Sequence, residues 1–497
     1  MSKLPDGWVS ARIGNIVQLN PKQQHPNDKT VGFVPMAMLG TSYRSIICYE
    51  PKPWADVKKG YTQFMDGDVL LAKITPCFEN GKAGLVSGLP NGVGAGSTEY
   101  FVSRPVLEAV DPRYLLAYFK TDAFLKNGET QMTGSVGHKR VPKEYLTESR
   151  IPLAPLNEQK RIADKLDAVL ARVDTCRDRL DRIPAILKRF RQSVLAAAFT
   201  GKLTNEWRSK NSLTSVPKLL AEIDTPSRPN RFSSRTETII DGNYALAVGN
   251  PARFVAEGWI WTPLVDIARM ESGHTPSRSH PEYWHGDIPR IGIADARDGH
   301  AKTITDSYQH TNELGLANSA ARLLPAGTVC LSRTASVGYV VRMGVPMATS
   351  QDFANWTCTK AIDPDWLKYL FVAENEAIYK FGKGSTHTTV YYPELMAFHV
   401  ALPAIEEQHE IVRRVESLFA YADRLEARYL AARTQVEKLT PAILAKAFRG
   451  ELVKQDPNDE PASELLARIA EARSADKPAK ARLSSRSITT CSSQTDS

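Results

Sequence analysis

The stretch PLNEQKRIADKLDAVL at residues 155–170 returns 249 positions later as AIEEQHEIVRRVESLF at residues 404–419. In both copies apolar residues alternate at steps of four and three positions, and this spacing continues over residues 162–194 and 411–443. A period of about 3.5 residues is typical of a helix that pairs with another helix along a narrow apolar seam. The sequence therefore predicts two long helices at equivalent places in a duplicated chain.

The apolar stripe of each helix contains ten positions. In the first helix they are Ile162, Leu166, Val169, Val173, Cys176, Leu180, Ile183, Leu187, Phe190 and Val194. In the second helix they are Ile411, Val415, Leu418, Ala422, Leu425, Tyr429, Ala432, Val436, Leu439 and Ile443. If the copies pair about a two-fold axis, the helices form an antiparallel coiled coil.

One alternative and one complication bear on this pairing. An amphipathic helix packed on its own domain would also have an apolar stripe, but it would drift toward a period of about 3.6 residues and show a broader apolar face. Pro184 and Pro441 lie within the two stripes, and a proline inside a helix removes a backbone hydrogen bond. We therefore expect each helix to consist of two segments.

The duplication extends over the rest of the chain. Short apolar runs broken by glycine and proline precede each helix and indicate strands and turns. The fold class predicted is α+β, an internal two-fold repeat of a mixed α/β domain followed by a long helix. The paired landmarks are residues 6–9 and 257–260, 67–71 and 327–331, 111–115 and 363–367, and 198–203 and 447–452.

These landmarks define the predicted domains. The segment between the copies is rich in Ser, Thr, Arg and Pro, and the polar C-terminal segment offers one short helix near Leu465 before a Ser/Thr-rich tail predicted to be disordered. In chain order the predicted parts are a mixed domain at 1–155, a helical region at 156–203, a linker or arm at 204–256, a second mixed domain at 257–404, a second helical region at 405–453 and the C-terminal segment at 454–497.

Composition limits the function. A net charge of +8 weakly favours a polyanionic partner. The six cysteines form no Cys-x-x-Cys pair, so neither a zinc site nor a disulfide framework is indicated, and no metal ligands are predicted. The scattered cysteines fit a reducing cytoplasm, and no apolar run approaches the roughly 20 residues that cross a bilayer. We therefore predict a cytoplasmic protein without a membrane partner.

The helical region carries a family resemblance. Residues 183–195, IPAILKRFRQSVL, followed by Gly-Lys-Leu-Thr at 201–204, resemble the central region of specificity subunits of Type I restriction-modification enzymes. Residues 155–159 and 456–461 are similar to that family's helix entry and C-terminal segment. The resemblance implies that each mixed domain is a target recognition domain for one half of a bipartite DNA site, and that the helices set the spacer between the halves.

The resemblance also implies partners. Two methyltransferase (modification) subunits would dock on the helical region, and restriction/translocase subunits would join them. S-adenosylmethionine, ATP and Mg²⁺ are then expected in those subunits, with no cofactor and no catalytic residue in this chain. In agreement, the sequence has no Gly-x4-Gly-Lys-Ser/Thr loop and no Asn/Asp-Pro-Pro-Tyr/Phe tetrapeptide. The predicted docking residues are Lys188, Arg189, Phe190, Arg191 and Gln192, which residues 437–440 of the second helix do not repeat.

Two places in each copy suit DNA readout, because polar and cationic side chains stand on short elements next to glycines. They are the strand ends at 73–75 and 333–336 and the Gly-Ser loops at 133–140 and 383–388. Residues 80–82 and 350–352 are weaker candidates. The predicted DNA-binding residues are Lys73, Thr75, Asn80, Lys82, Ser135, His138, Lys139, Arg140, Arg333, Thr334, Ser336, Lys383, Ser385, His387 and Thr388.

Three alternatives remain open from the sequence. Each polar loop could be an ordinary solvated turn. The chain could be a coiled-coil scaffold whose domains bind proteins and have no DNA specificity. It could also be a specificity subunit of a different methylase-nuclease arrangement, which would leave its own chemistry unchanged.

Overall fold

A computed structural model describes residues 4–106, 110–135, 137–227, 235–334, 336–384 and 388–475. The chain divides into two compact units, which both combine helices and strands. Unit 1 comprises the described residues up to Asp181 and those from Leu430 onward, and unit 2 comprises Arg182–Tyr429. Each unit therefore takes in part of both helical regions, so the unit boundaries fall inside the predicted segments 156–203 and 405–453.

The described residues of unit 1 form three sheets, with strand orders β1-β10, β2-β9-β6-β7 and β4-β3-β8-β5. Within these sheets β3 and β8 are parallel, and the other pairs are antiparallel. Its elements in chain order are β1 (Val9–Arg12), α1 (Ile13–Ile16), β2 (Val17–Leu19), β3 (Thr30–Val34), β4 (Glu50–Pro53), α2 (Trp54–Val57), β5 (Thr62–Met65), β6 (Val69–Ala72), β7 (Ala83–Leu85), β8 (Val93–Gly96), β9 (Tyr100–Pro105), α3 (Pro112–Phe119), α4 (Asp122–Thr130), α5 (Lys143–Glu148), β10 (Arg150–Leu153) and α6 (Leu156–Asp181).

The elements that follow α6 begin in unit 2. They are α7 (Ile183–Phe199), α8 (Asn205–Lys210), α9 (Val216–Ala221), β11 (Ile240–Asp241), β12 (Leu246–Val248), β13 (Ile260–Pro263), α10 (Leu264–Ile267), β14 (Ala268–Ser272), β15 (Trp284–Ile291), α11 (Ile293–Asp298), β16 (Thr303–Ile304), β17 (His310–Thr311), α12 (Glu313–Ala317), β18 (Val329–Ser332), β19 (Val340–Met343), β20 (Ala348–Thr349), β21 (Phe353–Cys358), α13 (Pro364–Ala373), α14 (Asn375–Phe381), α15 (Tyr392–Met396), β22 (Phe398–Leu402), α16 (Ile405–Ala447) and α17 (Ala462–Ala475). The last long helix, α16, starts in unit 2 and continues into unit 1, and the final helix, α17, lies in unit 1.

The two units repeat one topology, as the sequence predicts. The order β2-β9-β6-β7 in unit 1 corresponds to β14-β21-β18-β19 in unit 2, and the pair β1-β10 corresponds to β13-β22. Helices α3 and α13 both begin after an aspartate, Asp111 or Asp363, whose carboxylate accepts a hydrogen bond from a first-turn backbone N–H. The copies differ in the excursion between the second and third shared strands. Its strands join β8 in the sheet β4-β3-β8-β5 of unit 1, and its strands β15 and β17 join β20 in the sheet β17-β15-β20 of unit 2.

A buried glutamine joins each long helix to its mixed domain. In unit 1 Gln159 Oε1 accepts a hydrogen bond from Asp111 N at 3.0 Å, and its Nε2 donates to Ala154 O at 2.8 Å. In unit 2 Gln408 Oε1 accepts from Asp363 N at 2.8 Å, and its Nε2 also donates to backbone carbonyls. Both glutamines are 0% exposed. Each side chain therefore satisfies backbone groups that water does not reach.

The preceding glutamate reinforces this junction. Trp8 Nε1 donates to Glu158 Oε2 at 2.9 Å, and Trp259 Nε1 donates to Glu407 Oε2 at 3.0 Å. Glu407 also forms an ion pair with Arg208 at 2.7 Å, which fixes α8 against the start of α16. The repeated Trp and Glu-Gln of the sequence are thus one contact network that occurs twice.

The segment 204–256, predicted as a linker or arm, contributes regular structure to unit 2. Strand β12 pairs with β22 of the mixed domain. The buried carboxylate of Glu374 accepts hydrogen bonds from four consecutive backbone N–H groups, of Asn243, Tyr244, Ala245 and Leu246, at 2.6–3.2 Å. This part of the segment is consequently bound to the domain, which its loop-like composition did not indicate.

The predicted helix division is confirmed for the first helical region and wrong for the second. Helix α6 ends at Asp181, and α7 begins at Ile183 with Pro184 in its first turn, where a missing N–H costs no helical hydrogen bond. Helix α16 continues through Pro441 to Ala447. Burial of Leu444 and Ala447 in the core of unit 1 offsets the one hydrogen bond that Pro441 removes.

Most stripe positions are shielded from solvent, and a few are exposed. Buried positions are Ile162, Leu166, Val173, Leu187, Val194, Ile411, Val415, Ala422 and Tyr429. Cys176 and Ala432 are exposed, and Leu439 is 41% exposed. The stripes therefore pack best near the mixed domains.

Polar contacts join the helical segments within each unit. In unit 1 Arg177 Nη2 donates to Thr440 Oγ1 at 3.2 Å, and Arg433 pairs with Asp181 at 2.6 Å. In unit 2 Arg191 pairs with Asp423 at 2.7 Å and with Glu426 at 2.8 Å. Arg414 Nη1 donates to Leu203 O at 2.7 Å.

The C-terminal segment returns to unit 1. Ala462 N donates to Gly7 O at 2.9 Å, and Asp459 pairs with Arg161 at 2.6 Å. The short helix predicted near Leu465 is α17. The predicted disorder of the tail beyond residue 475 lies outside the described residues. Within them no helix combines the length and apolar character needed to cross a membrane.

We predict that Gln159→Met lowers the free energy of unfolding of unit 1 by about 1–3 kcal/mol, because Asp111 N and Ala154 O lose their buried partner. Hydrogen exchange should rise at the Asp111 amide while the Asp363 amide keeps its protection, and Gln408→Met should give the reverse. Asn157→Ala, at an exposed position two residues earlier, is the control and should change neither amide. Unchanged exchange in both methionine variants would contradict the role of the glutamines.

Candidate nucleic-acid interface

In unit 1 the two predicted readout places lie side by side. Thr75 N donates to Lys139 O at 3.0 Å, and Val141 N donates to Lys73 O at 2.8 Å. The loop is closed by the backbone pair of Thr133 and Arg140, with N···O distances of 3.0 and 2.8 Å. The strand end that follows β6 and the Gly-Ser loop therefore form one surface.

The basic side chains of this surface differ in whether a neighbouring carboxylate holds them in place. Arg140 is held by Glu99, with Nη2···Oε1 at 2.8 Å and Nε···Oε2 at 3.0 Å, and this bidentate pair lowers the pKa of the Glu99 carboxyl. The side chains of His138 and Lys139 are exposed and have no hydrogen-bond or ionic partner among the described residues. Lys139 and His138 are thus available to phosphates and base edges, and Arg140 has a fixed direction.

Unit 2 repeats the arrangement with other side chains. Val390 N donates to Arg333 O at 2.8 Å, and Thr334 Oγ1 lies 2.9 Å from Thr389 Oγ1. Lys383 and Thr389 close the loop by a backbone pair at 2.9 and 3.0 Å, and Lys383 Nζ pairs with Glu394 at 2.7 Å. The guanidinium of Arg333 lies 4.4 Å from the ring centroid of Tyr392. The strand end after β18 and the second Gly-Ser loop are therefore also adjacent.

The remaining predicted residues are placed less favourably or fall outside the description. Ser385 and His387 lie outside the described residues, and Thr388 is half-buried beside them. Lys82 Nζ donates to Met36 O at 2.9 Å, which ties it to its own unit. Asn80 and Ser135 are exposed, whereas Ser336 is half-buried and its N–H donates to Thr334 O at 2.7 Å. All of these assignments stay predictions.

Sequence reasoning missed two polar residues that adjoin the surface of unit 2. Thr275 Oγ1 donates to Gln351 Oε1 at 2.5 Å, and Gln351 O accepts from Arg333 Nη2 at 3.2 Å. Arg290 donates in turn to Thr275 Oγ1. Only Gln351 belonged to a weak candidate segment. Thr275 and Arg290 are more than 40 positions from Arg333, and no local pattern marks them.

The predicted docking residues on α7 face in two directions. Lys188, Arg189 and Gln192 are exposed. Phe190 packs against the core of unit 2, and Arg191 pairs with Asp423 and Glu426. The outward face available to a partner therefore consists of Lys188, Arg189 and Gln192. Among the described residues, no cluster of His, Cys, Asp and Glu is arranged to hold a metal ion.

Comparison with known proteins identifies the family. The sequence profile described as "Type I restriction modification DNA specificity domain" matches residues 5–185 and 256–432, which make up most of the chain and contain both copies. The chain belongs to this family. The predicted family and the predicted duplication are thereby confirmed.

Individual relatives agree with the profile. The chain is 46% identical to the Type I restriction enzyme EcoAI specificity subunit of Escherichia coli over 173 residues, which cover 35% of this chain and 29% of the relative. It is 26% identical to the EcoEI specificity subunit of Escherichia coli over 515 residues, which cover 90% of this chain and 83% of the relative. The specificity-subunit fold is also seen in the HsdS subunit from Thermoanaerobacter tengcongensis, with a TM-score of 0.61, 21% identity, and coverage of 90% of this chain and 98% of that one.

We predict that Gly134→Ala disturbs the unit 1 surface specifically. Gly134 has φ +123°, and an added Cβ would lie 2.9 Å from His138 O, so the loop must move. DNA binding of the assembled complex should weaken about fivefold or more. Gly60→Ala is the matched control, because Gly60 has φ +78° with nothing within 4 Å of an added Cβ. Gly134→Ala should lose at least as much thermal stability as Gly60→Ala, and equal DNA affinity in the two folded variants would contradict the assignment.

Proposed function

We propose that this chain is the DNA-reading subunit of a Type I restriction-modification enzyme, and that each unit reads one half of a bipartite site. The observation that carries the proposal is the repeated surface, in which a strand end and a Gly-Ser loop are fixed together by backbone hydrogen bonds in both units. Such a surface presents several donors and cations in a defined arrangement, as base-edge and phosphate contacts require.

The two half-sites are expected to differ. Unit 1 presents His138, Lys139 and Arg140, whereas unit 2 presents Arg333 stacked on Tyr392 and a threonine pair. Because an arginine suits guanine and small hydroxyl side chains are less selective, different side chains on one backbone frame select different bases.

We further propose that α6, α7 and α16 form an antiparallel coiled coil that sets the spacer between the half-sites. The order of the polar contacts supports this. In unit 1 the partners shift from Thr440 to Arg433 as the position in α6 advances from Arg177 to Asp181. In unit 2, Arg191 pairs with Asp423, and Leu203, which comes later in the chain, accepts a hydrogen bond from Arg414, which comes earlier than Asp423. Residue numbers therefore fall along α16 as they rise from α7 onward.

Docking of two modification subunits is the third part of the proposal. Lys188, Arg189 and Gln192 provide one exposed polar face on α7. The corresponding part of α16, residues 437–440, offers Glu437 and Lys438 instead, so the two docking faces differ in charge. Methylation and cleavage, with S-adenosylmethionine, ATP and Mg²⁺, are assigned to the modification and restriction subunits, and this chain supplies no catalytic group.

The proposal is tested by mapping methylation with the complex reconstituted from this chain and its modification subunits. A variant carrying His138→Ala and Lys139→Ala should relax or change one half of the methylated sequence. A variant carrying Arg333→Ala should alter only the other half, because the two surfaces belong to different units. Asp122→Ala, at the start of α4 away from the loop, is the control for general effects of substitution in unit 1. Changes in both halves from either variant would refute the two-reader assignment.

A second prediction concerns the spacer. Inserting four residues after Thr175 and four after Thr440 adds about 6 Å to both helical segments of unit 1 while preserving their pairing. Since a base-pair step rises about 3.4 Å, the unspecified spacer should lengthen by one or two base pairs with both half-sites retained. Insertion after Thr175 alone should instead lower thermal stability, because the contacts of Arg177 and Asp181 lose register. An active double insertion with an unchanged spacer would show that the helices do not set the distance.

A further inference from the structure

Unit 2 has a cavity of about 630 Å³ that belongs to its own excursion. It is lined by Arg278, Trp284, His285, Tyr308, Gln309 and His310, near the starts of β15 and β17. The corresponding excursion of unit 1 folds into the different sheet β4-β3-β8-β5. The cavity therefore lies outside the topology that the two units share.

A buried arginine that forms no ion pair among the described residues lies behind this cavity. Arg290 is 3% exposed, and its guanidinium lies 5.3 Å from the ring of Trp284. Its hydrogen bonds go to neutral oxygens, Gln309 Oε1 at 3.1 Å and Thr275 Oγ1, and its Nε has no hydrogen-bond partner among the described residues. A buried charge that lacks an opposite charge is costly, so the site is electrostatically incomplete.

A second arginine increases this positive charge. Arg278 is exposed on the cavity wall and forms no ion pair with a carboxylate among the described residues. Burial and the charge of Arg278 both lower the pKa of Arg290, and Asp352 and Asp295 oppose this only from beyond ion-pair distance. Two carboxylates near the rim contact neighbouring side chains: Asp306 pairs with His310 at 2.8 Å, and Asp298 accepts a hydrogen bond from Tyr308 OH at 2.9 Å. The two guanidinium groups thus favour an anion in the cavity.

The cavity is connected to the proposed DNA surface by direct contacts. Arg333 bonds to Gln351, Gln351 to Thr275, Thr275 to Arg290, and Arg290 to Gln309 on the cavity wall. An anion that accompanies DNA bound at Arg333 is the phosphate of the DNA backbone. The rings of Trp284 and Pro281 add an apolar wall suited to the adjoining deoxyribose.

We propose that this cavity binds a backbone phosphate of the duplex beside the half-site read by unit 2, with Arg278 as its direct ligand. The inference rests on the proposed function and extends it to a contact in the excursion whose fold differs from that of unit 1. Because a phosphate is the same at every base pair, the contact adds affinity and positions the duplex without adding sequence preference.

The experiment measures DNA affinity of the reconstituted complex against salt concentration for Arg278→Gln. Binding should weaken about five- to twentyfold at moderate salt, and the slope of log K against log salt should fall by about one. The methylated sequence should stay the same. The free variant should be at least as thermally stable as the native protein, because one of two repelling charges is gone. Lys360→Gln is the matched control, because it removes one exposed charge just beyond the C-terminal end of β21. It should leave the DNA affinity, the salt slope and the methylated sequence unchanged.

Two results would overturn the inference. A folded Arg278→Gln protein with native affinity and native salt slope would show that no phosphate binds there, and an altered methylated sequence would show that Arg278 reads a base. In both cases a loss of one half-site in Arg333→Ala would leave the proposed function intact. A native complex that binds no DNA would refute the proposed function itself.

Discussion

Gln159 and Gln408 occupy the point at which each long helix leaves its mixed domain. Each side chain is fully buried and bridges the first turn of the helix, the residue that follows the preceding strand, and the aspartate that precedes α3 or α13. Breaking such a bridge leaves backbone groups without partners in a region that water does not enter, so the helix has one favoured direction relative to its domain. The position of the loops proposed to face DNA, relative to the helix, depends on that direction.

Backbone hydrogen bonds carry this constraint from the helix to the loops. Strands β9 and β6 hold the strand end at Lys73, and Lys73 and Thr75 in turn hold the Gly-Ser loop through main-chain atoms. The same sequence of contacts runs through β21 and β18 to Arg333 and Val390 in unit 2. Since main-chain atoms make these bonds, the side chains on the loops are free to differ between the copies. One frame can therefore present two different sets of donors.

Patterns repeated along the chain made much of the fold predictable. The stripes from Ile162 and Ile411, the Asp-Pro helix starts and the Glu-Gln pairs all recur at nearly constant separation, and each records a local requirement of its element. The course of α16 through Pro441 was not predictable, because it depends on the burial of Leu444 in unit 1. The pairing of β12 with β22 was equally hidden, since it rests on the carboxylate of Glu374, more than a hundred residues away.

The candidate site was predictable only as far as the repeat extends. Lys73, Lys139 and Arg333 stand next to landmarks that recur, and the structure brings their segments together. Arg290 and Arg278 lie in the excursion whose fold differs between the units, where no comparison between copies marks them. Their importance follows from a three-dimensional balance of charge: unit 1 neutralises Arg140 with Glu99, whereas unit 2 buries Arg290 among neutral partners. A buried cation without an ion-pair partner is costly, and this cost is what the proposed DNA phosphate would lower.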